Sequence, residues 1–196
     1  KLDIHNWLKA FIEGNSPDVI FLSETKKSVE ELQPYFSQFT NYDVIYNVHN
    51  PKKWHGVCML IRKDRIFEQF EVNMNVNPRS DCKSNDPTCG RLISMCFDKK
   101  FYLVGTYTPN SGRGNPMKYL DYRINTWDKS FFQLLDLIKS NGPTIWMGDI
   151  NVASDEFDVS SPKTMCKWAG FTPEERSSFN NFLASSILEN AFPEAN

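Results

Sequence analysis

The segment TIWMGDIN, residues 144–151, joins an apolar run to two polar side chains. Residues 144–147 predict a buried strand, because a short apolar run without polar alternation is typical of strands covered on both faces. Asp149 and Asn151 follow at once, and side chains two residues apart on extended backbone point to the same side. The segment therefore predicts a carboxylate and an amide that meet one ligand. Asp and Asn after a glycine are also common turn formers, so a plain turn is the alternative.

Two other apolar strands end in polar residues. The strand at residues 19–22 runs into Glu24, and the strand FYLVGTY, residues 101–107, ends at Tyr107 and is followed by Asn110. Loops at strand ends are where a rigid scaffold presents functional side chains. Carboxylates suit Mg²⁺, and an amide can hold a water or a phosphate oxygen. The three strand ends together predict one site, although Glu24 alone is typical of a surface residue and Tyr107 alone of a half-buried aromatic.

The rest of the chain predicts strands and flanking helices. Helical periodicity covers residues 4–14, 29–39 with an interruption at Pro34, 118–140, and a last helix that Thr172 caps. Further strands are predicted at residues 43–48, 56–63, 66–72 and 91–97, and the first three should pair antiparallel because no helix separates them. This pattern predicts an α/β protein with helices outside a largely antiparallel or mixed sheet structure. We expect a single domain over residues 1–196, with a loop or insertion at 73–90.

Composition limits the classes of function. The chain has 196 residues, 40% hydrophobic and 23% charged, with a net charge of −2, which is typical of a soluble globular protein. Bulk charge does not indicate a nucleic-acid binder, so a polyanion would have to be met by local basic clusters. The five cysteines, the lack of a signal-peptide pattern and the lack of a 20-residue apolar run favour an intracellular protein with no membrane partner.

Five segments together carry a family resemblance: PDVIFLSETK, YTPNSGRG, LDYRINTWD, GDINVA and AGFTPEER. They resemble the exonuclease III type of apurinic/apyrimidinic endonuclease, within the endonuclease/exonuclease/phosphatase superfamily, over nearly the whole chain. The resemblance implies a four-layered α/β sandwich, with two mixed β-sheets packed face to face and helices outside, here incomplete.

The resemblance also implies an activity in DNA base-excision repair. The expected reaction is Mg²⁺-dependent hydrolysis, with Mn²⁺ as an alternative, of the phosphodiester 5′ to an abasic site, which leaves a 3′-hydroxyl; 3′-phosphodiesterase or 3′–5′ exonuclease activity would accompany it. The implied partner of a monomeric enzyme is double-stranded DNA with abasic or blocked 3′ lesions. The implied location is the nucleus in a eukaryote, with a mitochondrion or other organelle as the alternative.

The resemblance assigns roles to particular residues. It implies that Glu24, Asp149 and Asn151 are metal ligands and that Asp149 positions and deprotonates the attacking water. Asn151 would orient this water or the scissile phosphate, and Tyr107 would contact the phosphate and assist the leaving oxygen. The implied DNA-binding residues are Asn110, Arg113, Trp54 and Arg91. We also predict DNA contacts for Lys26, which lies in a basic cluster, and for the aromatic Trp168. A role in the core is the alternative for Trp54 and Trp168, and His55 is expected to face solvent.

The chain also departs from the family pattern. It begins after the family's first strand and ends before the aspartate and the Ser-Asp-His segment that close the family domain, so we expect an excerpt that is not a competent nuclease by itself. Met165 and Trp168 stand where the family usually has asparagines that contact the lesion strand. The alternative functions are a phosphoesterase that acts on a lipid or another phosphodiester, and a truncated DNA-binding form without catalysis.

Overall fold

The computed structural model describes residues 4–49, 54–64, 70–73, 89–98, 100–114, 117–186, 188–189 and 191. Its contacts divide the chain into two compact units, Lys1–Tyr107 with Gly142–Asp149, and Thr108–Asn141 with Ile150–Asn196. The expectation of a single domain over residues 1–196 stays a prediction. The predicted insertion at 73–90 lies outside the described residues between positions 74 and 88.

The first unit contains two β-sheets. Strands β1 (Val19–Ser23), β2 (Tyr42–Asn47) and β3 (Val57–Arg62) form an antiparallel sheet in the order β1-β3-β2. Strands β4 (Phe70–Asn73), β5 (Leu92–Phe97), β6 (Phe101–Tyr107) and β7 (Thr144–Asp149) form a mixed sheet in that order, in which β7 runs parallel to β6.

Strand β3 lies at the centre of this unit and is buried on both faces. Val57, Met59 and Ile61 belong to one apolar cluster with side chains of β5, so they join the two sheets. The alternate residues Cys58 and Leu60 belong to a second cluster on the opposite face. This alternation is the period-two pattern of a pleated strand, and it makes β3 the layer shared by both cores.

Two helices cover the outer face of the antiparallel sheet. They are α1 (Ile4–Asn15), which buries Leu8 and Ile12, and α2 (Val29–Phe36), which buries Leu32 and Phe36. The predicted interruption of α2 at Pro34 is wrong, because the helix continues to Phe36. Burial of Leu32 and Phe36 stabilises this last turn although Pro34 lacks a backbone N–H.

The α/β sandwich is confirmed, with three corrections. Only the four-stranded sheet is mixed, since the described strands of the other are all antiparallel. The predicted pairing of the segment at residues 66–72 with its predecessor is wrong, because β4 pairs with β5. The predicted full burial of residues 144–147 is also wrong: Ile145 is 56% exposed, since β7 has only one neighbour among the described strands.

The second unit is helical. The predicted helix at 118–140 is present as α3 (Leu120–Tyr122), a π-helix (Arg123–Asp128) and α4 (Lys129–Asn141). A 3₁₀ turn (Glu156–Asp158), α5 (Pro162–Met165) and α6 (Pro173–Ser185) follow. The predicted cap of α6 is confirmed, because the Thr172 hydroxyl accepts a hydrogen bond from the Glu175 N–H at 3.1 Å. Across the described part of the chain, every helix is too short or too polar to cross a bilayer.

Candidate active site

The ends of β6 and β7 bring Tyr107 and Asp149 together. The two parallel strands are in register with Tyr107 opposite Asp149. Gly148 has φ +121°, and a Cβ there would lie 2.1 Å from the Thr106 carbonyl oxygen, so only glycine allows this close approach. The position of Asp149 therefore depends on the absence of a side chain at the preceding residue.

Glu24 reaches the same edge from the end of β1. Its backbone has φ +55°, which is uncommon for glutamate, and the turn is held by N–H donation from Thr25 to the Gly56 carbonyl at 3.0 Å and from Lys26 to the His55 carbonyl at 3.1 Å. The Tyr107 hydroxyl donates a hydrogen bond to the Glu24 carboxylate. The Lys26 ammonium pairs with the other carboxylate oxygen.

These contacts fix the charge states of the two groups. The hydrogen bond from Lys26, and then that from Tyr107, hold the pKa of Glu24 below its usual value. Burial, and then the neighbouring Glu24, raise the pKa of Tyr107 to about 12, and the charge of Asp149 acts in the same direction. At neutral pH the Glu24 carboxylate is therefore charged, and the Tyr107 hydroxyl is neutral and can donate a hydrogen bond.

The Arg91 side chain packs against Tyr107. Its guanidinium lies over the tyrosine ring, 4.8 Å from the centroid, and Nη1 donates to the Tyr107 carbonyl at 3.1 Å. Nη2 lies 3.4 Å from His55 Nδ1. The sequence predicts DNA contact for Arg91, and the structure adds a packing contact with the tyrosine.

The expectation that His55 faces solvent is wrong. Its side chain is 4% exposed because His49, with ring centroids 4.3 Å apart, and Arg91 cover it. Burial, and then the charge of Arg91, lower the pKa of His55 to about 3, so the ring is neutral. Trp54 stacks on His49 at 5.6 Å and is 63% exposed, which excludes the core alternative for this tryptophan.

In the second unit Asn151 and Asn110 form a pair of amides. Asn110 Nδ2 donates to Asn151 Oδ1 at 3.3 Å, and Asn151 Nδ2 donates to the Thr108 carbonyl at 2.8 Å. Asn110 Oδ1 accepts from the Gly112 N–H at 2.8 Å. Asn151 has φ +50°, in the left-handed region that asparagine tolerates better than most residues.

A cleft of about 510 Å³ lies in the same unit. Its lining includes three predicted DNA-binding residues, Asn110, Arg113 and Trp168, together with Lys167. Trp168 is 61% exposed, so the alternative that it covers the core is wrong. Two cationic side chains and an exposed indole suit a phosphate and a nucleobase.

The predicted residues thus fall into two groups. Glu24, Tyr107 and Asp149 lie together in the first unit, with Lys26 and Arg91 in contact with them. Asn110, Arg113, Asn151 and Trp168 belong to the second unit, and the convergence of Asn151 with the carboxylates stays a prediction. Arg123 and Asp128, which sequence reasoning missed, form a buried ion pair in the second unit. The spacing of these two charges in LDYRINTWD does not signal the pair, because residues five apart in a regular α-helix face different sides.

The residues present suit a hard divalent cation. Among the described residues there is no cluster of three His, Cys, Asp or Glu side chains able to enclose a metal ion. Mg²⁺ does not require one, because it keeps several waters and takes one or two carboxylates together with substrate phosphates. The Glu24 side chain is 43% exposed and Asp149 is exposed, so both carboxylates are open to such an ion.

The chain is similar to curated proteins whose names describe nucleases that act on DNA. The chain is 36% identical over 180 residues to a DNA-(apurinic or apyrimidinic site) endonuclease of Dictyostelium discoideum, over 91% of the chain and 46% of that relative. It is 32% identical over 189 residues to the DNA repair nuclease APEX1 of Danio rerio, over 93% of the chain and 57% of that relative. The chain thus spans about half the length of these curated relatives. Their names confirm the resemblance drawn from the sequence.

Solved structures share the fold. An AP endonuclease from Archaeoglobus fulgidus has a TM-score of 0.73 at 21% identity, over 94% of the chain and 66% of that structure. A 3′ phosphatase from Neisseria, solved with a product DNA hairpin, has a TM-score of 0.73 at 18% identity, over 94% of the chain and 67% of that structure. The family model described as Endonuclease/Exonuclease/phosphatase family matches residues 1–182. The chain belongs to this family.

Proposed function

We propose that the protein is a divalent-metal-dependent DNA-repair nuclease that hydrolyses the phosphodiester 5′ to an abasic site and leaves a 3′-hydroxyl. Removal of blocking groups from 3′ ends is the accompanying activity. The observation that carries the proposal is the hydrogen bond of Tyr107 to Glu24 beside Asp149, which puts a neutral donor and two carboxylates at one sheet edge.

Each of these groups has a role in phosphodiester hydrolysis. Glu24 and Asp149 would hold Mg²⁺ or Mn²⁺, which when bound supplies positive charge opposite the phosphoryl oxygens. Asp149 accepts a proton from the attacking water, and the Asn151 amide orients that water or the phosphate. Tyr107 stays protonated because its pKa is about 12. Its single O–H, which Glu24 accepts in this structure, would donate to a phosphate or leaving oxygen when Glu24 holds the cation. The chemistry requires no covalent nucleophile.

The substrate in this proposal is duplex DNA. A net charge of −2 gives the chain no general attraction for a polyanion, so binding depends on local cations. Arg113 and Lys167 line the cleft that also holds the exposed Trp168, where an indole can stack on a base. Lys26, Arg91, Trp54 and Asn110 are the further proposed contacts. The protein would act as a monomer in a DNA-containing compartment, the nucleus or an organelle in a eukaryote.

A nicking assay tests the proposal. The full-length protein is incubated with an end-labelled duplex that holds one abasic analogue, with and without Mg²⁺, alongside Asp149→Asn. We expect metal-dependent nicking 5′ to the analogue that the substitution lowers by at least ~100-fold, the scale for losing a general base. Asp155→Asn is the matched control, because this exposed aspartate caps only the 3₁₀ turn.

Two outcomes would contradict the proposal. Equal cutting by the parent protein and Asp149→Asn would remove Asp149 from the mechanism. Hydrolysis of a phospholipid without hydrolysis of DNA would replace DNA as the substrate.

A further inference from the structure

The π-helix Arg123–Asp128 creates a buried ion pair in the second unit. Arg123 Nε donates to Asp128 Oδ1 at 2.8 Å, and the two side chains are 1% and 2% exposed. In an α-helix, residues five apart are separated by about 140° around the axis, so they face different sides. The wider i→i+5 winding of a π-helix reduces this separation, and π-helical turns are frequent at functional sites. The local helix type therefore makes the ion pair geometrically feasible.

The rest of the guanidinium binds two loops. Nη1 donates to the carbonyls of Pro109 and Asn151, each at 3.1 Å, and Nη2 donates to the Ile150 carbonyl at 3.2 Å. One of these loops precedes Asn110 and the other contains Asn151. A single buried side chain thus ties together the backbones that carry both amides.

Helix α6 reinforces the same arrangement. The Ser178 hydroxyl donates to Asp128 Oδ2 at 2.7 Å, which fixes the carboxylate that orients the guanidinium. The buried Glu175 carboxylate accepts from the Ser111 hydroxyl at 2.5 Å and from the Gly170 N–H at 2.8 Å. Both ends of the loop around Asn110 are therefore attached to buried charged groups.

We propose that Arg123, held by Asp128 across the π-helix, is a positioning residue that fixes the orientation of the Asn110 and Asn151 amides toward the substrate phosphate. The role of the amides rests on the proposed function, whereas the attachment of the loops is a property of the fold. Arg123 does not itself touch substrate. It acts by keeping two backbone segments at one separation.

Arg123→Lys is the informative substitution. Lysine keeps the positive charge beside Asp128, but its compact ammonium cannot reproduce a planar fork that serves four acceptors. Arg123→Ala is less useful, because it leaves Asp128 buried without a partner and threatens folding. Arg62→Lys is the matched control: Arg62 is a partly buried arginine that is likewise paired with aspartates, Asp18 and Asp64, but it belongs to β3 in the first unit.

The first measurement is steady-state nicking of the abasic duplex with saturating Mg²⁺. We expect Arg123→Lys to lower kcat roughly 10- to 100-fold with a much smaller change in KM, since small displacements of positioning groups cost rates of this size. Arg62→Lys should leave both constants near those of the parent protein. In an Asn151→Ala background, Arg123→Lys should lower kcat far less, because residues that act through one another are not additive.

The second measurement does not depend on nuclease activity. Hydrogen exchange should accelerate in Arg123→Lys at the amides of Gly112, which bonds to Asn110 Oδ1, and of Ala153, which bonds to the Gly170 carbonyl. The amides of β3 should be unchanged, and Arg62→Lys should leave both loops protected.

The outcomes separate the two proposals. A parent protein that does not cut DNA would contradict the proposed function. Faster loop exchange in Arg123→Lys would still support the attachment of the loops by Arg123. With an active parent protein, unchanged exchange would overturn the positioning role. An unchanged kcat, or the same loss of kcat in the Asn151→Ala background, would also overturn it.

Discussion

The two groups of candidate site residues are held by different forces. Tyr107 and Asp149 are placed by strand register and by a glycine that admits no side chain, and Glu24 by a hydrogen-bonded turn at the end of β1. Asn110 and Asn151 are placed by carbonyl groups bound to a buried arginine. The first group is thus fixed by the backbone of a sheet, and the second by side chains of a helical unit. Substitutions should affect the two groups in different ways.

After that of Asp149→Asn, the largest expected effect in the first group is on metal use. Glu24→Gln removes a carboxylate charge, so we expect nicking at low Mg²⁺ to fall by roughly 100-fold, in the range for groups around a metal. Raising Mg²⁺ should restore part of the rate, whereas it should not rescue Asn110→Ala. Glu13→Gln, in an exposed surface pair with Lys9, is the control. A loss that is the same at every Mg²⁺ concentration would remove Glu24 from the metal site.

A smaller effect is expected at Tyr107. Tyr107→Phe removes one hydrogen bond to a charged group, which corresponds to about 30-fold in rate. The same change removes a contact that lowers the pKa of Glu24, so this pKa should rise and the acid limb of the pH–rate profile should move to higher pH. The parent protein should show no alkaline limb from Tyr107 below pH 10, because the tyrosine pKa is about 12. An unmoved acid limb in the variant would contradict the coupling.

The smallest effect is on stability and involves His55. Its pKa is about 3 in the folded protein against an ordinary value of 6.5. A lowered pKa means that the unfolded chain binds the proton more readily than the folded protein does. The contribution of neutral His55 to the free energy of unfolding is therefore complete above pH 6.5 and is lost as the pH falls toward 3. His55→Gln should therefore lose less stability than the parent protein between pH 6.5 and 4.5, measured by urea unfolding. Equal losses would show that His55 titrates normally.

The first group, at the ends of the strands, could be predicted from sequence better than the second group, on the loops of the helical unit. Apolar strands that end in Glu24, Tyr107 and Asp149 are visible as patterns, and register then brings the last two together. Sequence could not give the sheet partner of β4, which depends on long-range pairing, nor the exposure of Ile145 at a sheet edge.

The buried Arg123–Asp128 pair that holds the second group could not be predicted, for a different reason. Apolar residues at three- and four-residue steps predict one regular helix from 118 to 140, and a single π-helical turn within it leaves that pattern nearly intact. Arg123 and Asp128 therefore read as surface charges, since buried charges are rare. The roles proposed for Asp149 and Asn151 came from the family resemblance and not from spacing alone.

Strand β3 has a consequence for how the first unit opens. Val57, Met59 and Ile61 face one cluster, whereas Cys58 and Leu60 face the other. Unfolding of either the helices or the second sheet therefore exposes one face of the same strand to water and removes the apolar contacts of that face. We therefore expect slow-exchanging amides of both sheets to become accessible in one concerted event, as a single cooperative folding unit.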